Sequence, residues 1–230
     1  MSSETGISTG LRATAAGLIG LAAFGVLLFV PAGTLSYWQA WVFLIVFAIS
    51  TWIPALYLLR KNPAALERRM RAGPGAETRT VQLIVIAVAF ASAAAMIVLS
   101  VLDHRFGWSQ LPPMVSVIGD ALVVIGLGVA MLAVIQNSYA AANITVEGNQ
   151  HVVSTGLYGS VRHPMYVGNL IMMAGIPLAL GSYWGLVVVI PGLLLLVIRI
   201  LDEEKLLAQE LAGYREYTQK VRYRLVPYVW

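Results

Sequence analysis

Two polar clusters, far apart in sequence, each sit against an apolar run. The first is Tyr158-x-x-x-Arg162-His163-Pro164-x-Tyr166-x-Gly168, and the second is Arg199-x-x-x-Glu203-Glu204. In the first, His163 precedes a proline, so its backbone is held away from the α region. Pro164 suits the first position of a helix, where a missing N–H costs nothing. The chain there is set up as a helix N-terminus, whose unpaired N–H groups favour an anion such as a carboxylate. Arg162 adds a permanent charge, Tyr158 and Tyr166 add flat faces with polar tips, and Gly168 leaves room for a ligand or another backbone. The same residue types also gather where helices leave a bilayer, and the spacing alone fits both readings. In the second cluster, Arg199 follows Leu193-Leu194-Leu195-Leu196-Val197-Ile198. A guanidinium there is costly unless it snorkels or pairs. A spacing of four puts Glu203 on the same helical face. Asp202 and Glu204 are expected to face solvent or cap the helix.

The elements that must position these clusters are membrane helices. The chain has 230 residues, of which 59% are hydrophobic and only 11% charged. A soluble domain carries about 25% charged residues. With no cysteine, disulfides, cysteine-based zinc sites and thiol catalysis are excluded, and no metal is expected. The net charge of +4 suits anionic headgroups rather than nucleic acid in a chain of this kind. Apolar runs predict spans at 13–30, 41–59, 81–102 and 114–136, each close to the roughly 20 residues that a bilayer core needs. The first is expected to be a retained helix rather than a signal peptide. Two shorter runs, 165–180 and 184–201, are joined by Gly181-Ser182-Tyr183 as a helical hairpin. Sixteen residues cover about 24 Å, which is marginal for a span. Pro177 and Pro191 are expected to bend both helices of that hairpin at similar depth.

Between the spans lie a basic loop at 60–80, with a short interfacial helix expected at 64–71, and a polar interval at 137–162. In that interval Asn143 to Glu147 reads as extended, followed by a turn at Gly148-Asn149. Asp120, early in the fourth span, is expected near the interface. The tail is expected to be helical to Val221, with an aromatic segment packing back over 223–230. Six spans place the basic loop, the polar interval and both termini on one side. Of fifteen Lys and Arg residues, Arg105 alone then falls in a loop on the other side, which predicts cytoplasmic termini. The expected fold is an all-α polytopic membrane protein of about six transmembrane helices. It divides into 1–113, carrying the first three helices, and 114–230, carrying the chemistry and a cofactor pocket at the cytosolic face.

Residues 150–168 and 199–217 resemble the isoprenylcysteine carboxyl methyltransferase family and the related phospholipid methyltransferases of membranes. The resemblance rests on Val152-Val153-x-x-Gly156-x-Tyr158-x-x-x-Arg162-His163-Pro164-x-Tyr166-x-Gly168, then Arg199-x-x-x-Glu203-Glu204, then Gly213-x-x-x-Tyr217. It implies S-adenosylmethionine as methyl donor, held without a Rossmann domain. By matched position, the resemblance implies a cofactor pocket of Gln150, His151, Val152, Val153, Tyr158, His163, Pro164, Met165, Tyr166 and Glu203, with Arg199 facing the acceptor. Arg199 and Glu203 are the implied catalytic pair. Glu147 matches a pocket glutamine of the family only across a small gap.

Methyl transfer from a sulfonium is an in-line displacement with a neutral leaving group, so alignment and exclusion of water dominate. A carboxylate acceptor is already ionised and needs no base, and Arg199 could hold it bidentately. An amine acceptor needs a base, for which Glu203, Glu204 and His163 are candidates. The arginine leans toward an anionic, lipophilic acceptor such as a prenylated cysteine, and a lipid phosphate would also fit it. Two other classes compete. Membrane sterol reductases, which bind NADPH, have a similar C-terminal architecture but more spans. A non-enzymatic scaffold would need Arg199 and Glu203 for structure alone.

Overall fold

A computed structural model describes residues 2–71, 80–140, 148 and 150–230, with the side chains of residues 2–8, 71 and 81 also outside the description. Eight α-helices follow in order: α1 Ser2–Ala32, α2 Trp38–Lys61, α3 Pro63–Arg71, α4 Thr80–Phe106, α5 Pro113–Gln136, α6 Pro164–Ala179, α7 Val189–Glu210 and α8 Tyr214–Lys220. No strand occurs among the described residues. The segment Asn143 to Glu147, expected to be extended, lies outside them.

Five helical segments are long and apolar enough to cross a membrane: 9–32, 38–61, 82–106, 113–136 and 184–210. The sixth expected span, α6, is apolar but has only 16 residues. It makes the same traverse nonetheless. Its first turn lies beside the site described below, and just past its last turn Leu180 O accepts a 2.6 Å hydrogen bond from the Tyr37 hydroxyl. The molecule is therefore a polytopic membrane protein, whose described residues include five long spanning helices and one short one.

The far end is stapled by polar groups. Asp103, fully buried, accepts from Ser109 N at 2.6 Å, Ser109 Oγ at 2.7 Å and Ser182 Oγ at 2.5 Å. Tyr37 stacks on His104 with ring centroids 3.7 Å apart, and Arg105 Nη1 donates to Pro31 O at 2.9 Å. A buried carboxylate with several donors is satisfied rather than reactive. At the opposite end Thr9 Oγ1 donates to Glu67 Oε1 at 2.9 Å, joining α1 to α3.

Helices α5 and α6 touch backbone to backbone. A Cβ at Gly126 would lie 2.5 Å from Gly168 O, and one at Gly175 would lie 2.8 Å from Gly119 O. Gly119 meets Ala179, and Gly168 meets Gly126, closer still. Small residues let membrane helices approach this way. Gly168 thus serves the approach of a backbone, not of a ligand.

Several expectations need correction. Pro177 lies in the last turn of α6 and Pro191 in the first turn of α7, so neither bends a helix midway. Residues Trp184–Val188 form a 3-10 turn leading into α7. The tail is not one helix. It breaks after Glu210, and Gly213 adopts φ +81° before α8 begins, a conformation that glycine takes without penalty. Asp120, early in α5, is buried, at 6% exposure. It sits on the α5 stretch where Gly119 meets Ala179.

Candidate active site

The site occupies the end of the bundle where α5 and α7 finish and α6 begins. His163 caps α6, and Pro164 takes its first turn. Before it, Gly156 takes φ +61°, the Gln136 amide fills the space a side chain would need, and Gln136 Oε1 accepts from Leu157 N at 2.8 Å. The 3-10 turn Gly156–Gly159 then buries Tyr158. The tail folds back over this turn. Arg162 N and His163 N donate to Tyr223 O and Arg224 O at 2.9 and 3.0 Å. Tyr217 Oη donates to Tyr158 O at 2.7 Å.

A polar cleft lies beneath this fold-back. Gln150, His151, Val152 and Val153 form one wall, and Tyr158, His163, Met165, Tyr166 and Glu203 another. The cleft volume is about 80 Å³. Pro164 is buried beside the cleft without lining it. Glu147 lies outside the described residues. Asn137, Tyr139, Ala140, Arg162, Leu207, Leu211, Tyr214 and Tyr217 complete the lining. The sequence reading did not assign these to the pocket, although the apolar stripe of 206–217 offered a signal for the last four.

Arg199 lies elsewhere, in a second cavity of about 440 Å³. That cavity is walled by Val85, Ala89, Ser92, Ala93 and Met96 of α4, by Met172 and Met173 of α6, and by Leu195 and Leu196 of α7. Phe90 lines it and is 63% exposed, so it opens on the lipid-facing surface. Met165 and Tyr166 line both cavities.

Tyr166 is the partition. Its hydroxyl donates to Glu203 Oε2 at 2.6 Å and accepts from Arg199 Nε at 2.9 Å. Arg199 and Glu203 therefore communicate through this phenol, where helical spacing alone suggested a direct pair. Arg199 Nη1 also donates to Gln82 Oε1 at 3.0 Å, and Gln82 Nε2 donates to Asp202 Oδ2 at 2.5 Å. Gln82 is fully buried. The sequence reading passed over it, though an amide just inside an apolar run was visible.

Glu204 is neither solvent-facing nor a cap. Its Oε1 lies 3.1 Å from His163 Nε2 and 2.8 Å from Arg162 Nε, whose N–H is not aimed at it. Its Oε2 accepts from Arg224 Nε at 2.9 Å. One carboxylate thus ties α7 to the α6 N-terminus and to the tail. Asp202 likewise engages α4 through Gln82 instead of facing water.

Tyr158, Tyr214 and Tyr217, beside the cleft, stay protonated. Burial, aided by the Glu203 charge, pushes Tyr158 up, and burial with Glu204 and Glu203 nearby pushes Tyr214 up. Burial also raises Tyr217 from 10.0 to about 12, with Arg162 opposing and Glu204 reinforcing the shift. An acid whose folded pKa is raised adds stability that is complete below its unfolded pKa and vanishes as pH climbs through the folded one. The α8 packing should therefore hold to pH 10 and fail between 10 and about 12. An ultraviolet tyrosinate titration followed together with circular dichroism checks this. Ionisation of Tyr217 near pH 10 with the fold intact would contradict it.

The fold and these two cavities define a class: a multi-pass membrane protein with a polar cleft at one bundle end, separated by one tyrosine from a lipid-facing apolar cavity. Residues 114–213 match the phospholipid methyltransferase family, over somewhat less than half of the chain. That match supports a membrane methyltransferase. A Delta(14)-sterol reductase from Mus musculus is similar too, with 38% identity over 89 residues, covering 37% of this chain and 21% of the reductase. The chain spans about a fifth of the length of that curated relative.

Proposed function

We propose that the protein is an S-adenosylmethionine-dependent methyltransferase of membranes that acts on a lipophilic acceptor, with carboxyl O-methylation of an isoprenylcysteine-like substrate as the favoured reaction. The observation that carries this reading is the shared wall. A polar cleft and an apolar, lipid-open cavity meet at Met165 and Tyr166, as a reaction between a water-soluble donor and a lipid acceptor requires.

The cleft suits the donor chemically. Tyrosine and histidine rings offer π faces to a sulfonium cation, and Glu203 offers an acceptor for its polar groups. Bound there, S-adenosylmethionine would supply an electrophilic methyl. Residues Gln150 to Val153 would hold the donor from one side, and Tyr158 with His163 to Tyr166 from the other. Arg199 would orient an acceptor carboxylate from the apolar side. Tyr166, fixed by Arg199 and Glu203, would keep water from the line between them. Cytoplasmic termini, as charge asymmetry predicts, would put the cleft on the side where a soluble donor is found.

Phospholipid N-methylation is the alternative within the same chemistry, and Glu203 or His163 would then take the amine proton. The reductase likeness favours a second class, in which the cleft would hold NADPH. Calorimetry on the detergent-solubilised protein separates them. S-adenosylhomocysteine is expected to bind and NADPH is not. Arg199→Ala is expected to keep S-adenosylhomocysteine binding but to lower methyl transfer into a membrane extract by about 100-fold or more, a loss of roughly 2.7 kcal/mol of transition-state stabilisation. Binding of NADPH instead would overturn the methyltransferase reading. Full transfer by Arg199→Ala would overturn the role of Arg199.

A further inference from the structure

The apolar cavity carries charge of one sign. Its described lining includes two arginines, Arg199 from α7 and Arg69 from α3, and no carboxylate. Arg199 is buried and held from within by Tyr166 and Gln82. Arg69 is placed differently. It lies on a short helix anchored by buried Ala65 and Leu66. Its side chain is exposed at the cavity mouth and makes no hydrogen bond or ion pair among the described residues. The preceding residue, Arg68, lies over the Tyr139 ring, 4.9 Å from its centre, and Tyr139 lines the polar cleft. Successive arginines of one interfacial helix therefore address the two cavities.

A guanidinium at the edge of an apolar space, with no acid opposite, is a receptor for an anion that arrives with the ligand. The remaining walls are mostly aliphatic and thioether side chains, with the Phe90 ring and the uncharged Ser92, Tyr166 and Asn169 among them. They fit a hydrocarbon tail, and none of them carries a charge to compete with the arginines for an anion. We infer that Arg69 is a specificity-determining residue for the acceptor, which is an amphiphile whose tail fills this cavity and whose anionic group docks between Arg69 and Arg199. The anion is a carboxylate or a phosphate, since both match the guanidinium fork. This inference rests on the methyltransferase reading for the word acceptor, but the binding preference stands on the cavity alone.

The test uses the full-length protein in uncharged detergent, so that bilayer phosphates cannot occupy Arg69. Affinities are measured for two thioethers with the same isoprenoid chain, one ending in a carboxylate and the other in a carboxamide. A short-chain phosphatidic acid and its diacylglycerol form a second pair. The wild-type protein is expected to prefer the charged member of one pair by about tenfold, the scale of one charge-assisted contact. Arg69→Gln is expected to reduce that preference to about twofold, Arg69→Lys to retain most of it, and S-adenosylhomocysteine affinity to be unchanged in both. The pair that responds tells carboxylate from phosphate. An unchanged preference in Arg69→Gln, or equal weakening of both members, overturns the inference. Absence of S-adenosylhomocysteine binding with the preference intact would sink the methyltransferase reading and leave Arg69 as the anion reader.

Discussion

Replacing Glu204 with alanine is expected to remove about 3–5 kcal/mol of stability, the usual cost of stripping one partner from a buried ion pair, and to abolish donor-site binding. Glu204 is absent from the lining of either cavity. Its side chain is 12% exposed and faces Arg162, His163 and Arg224. Without it three cationic or protonatable groups are left crowded together, and Arg162 and His163 both line the cleft. The tail would lose its anchor as well, because Arg224 carries Trp230 against its guanidinium, 5.0 Å from the ring centre. Glu204→Gln keeps the shape but not the charge and should fall between alanine and wild type. Thermal unfolding in detergent measures the effect. Glu210→Ala, an exposed acid on the same helix, is the control and should move stability by no more than about 0.5 kcal/mol. A Glu204→Ala protein that melts like this control would show that the cluster is ornamental.

Gly168→Val should be as damaging by a different route. A Cβ there collides with the carbonyl of Gly126 and approaches Ala130 N to 2.7 Å. Both are backbone atoms, which cannot rotate aside as a side chain does. The two helices must part, and α6 carries His163, Met165 and Tyr166 at its start. Overpacking costs about 1–3 kcal/mol where side chains can yield, and more is expected here. Gly126→Val should behave alike, since the contact is mutual. Gly128→Val, with nothing within 4 Å of its added Cβ, should fold normally. Size-exclusion profiles and melting curves of the three variants provide the check, and equal behaviour of Gly128→Val and Gly126→Val would refute close packing as the cause.

What could be read from the sequence was whatever repeats along the chain. The long spans announce themselves by unbroken apolarity, and the α6 start by His163-Pro164. Residues Gln150 to Val153 and Glu203 reached one cleft because the motif order carried them there. Contacts made across twenty or more residues were not legible. Glu204 looked like a solvated acid because its three partners come from 162, 163 and 224. Gln82 looked like the fringe of a span because its partner Arg199 is 117 residues away. The break at Gly213 was hidden for a different reason. The pattern of 205–221 is helical on both sides of the glycine, and only its left-handed backbone shows that α7 and α8 are separate.

The shortness of α6 has an energetic consequence for lipid chemistry. Sixteen residues rise about 24 Å, while a bilayer core is about 30 Å thick. With its Ala179 end at one boundary, α6 begins roughly 6 Å beneath the other. Tyr166 and the meeting point of the two cavities then lie below the headgroup plane. Lifting a fifteen-carbon tail out of hydrocarbon into water would cost on the order of 12 kcal/mol, at about 0.8 kcal/mol per methylene. For the proposed lipid acceptor, a sunken reaction centre would remove that cost from the barrier. Under the proposed reaction, the lipid would react while still dissolved in its membrane, and the soluble donor would descend to meet it.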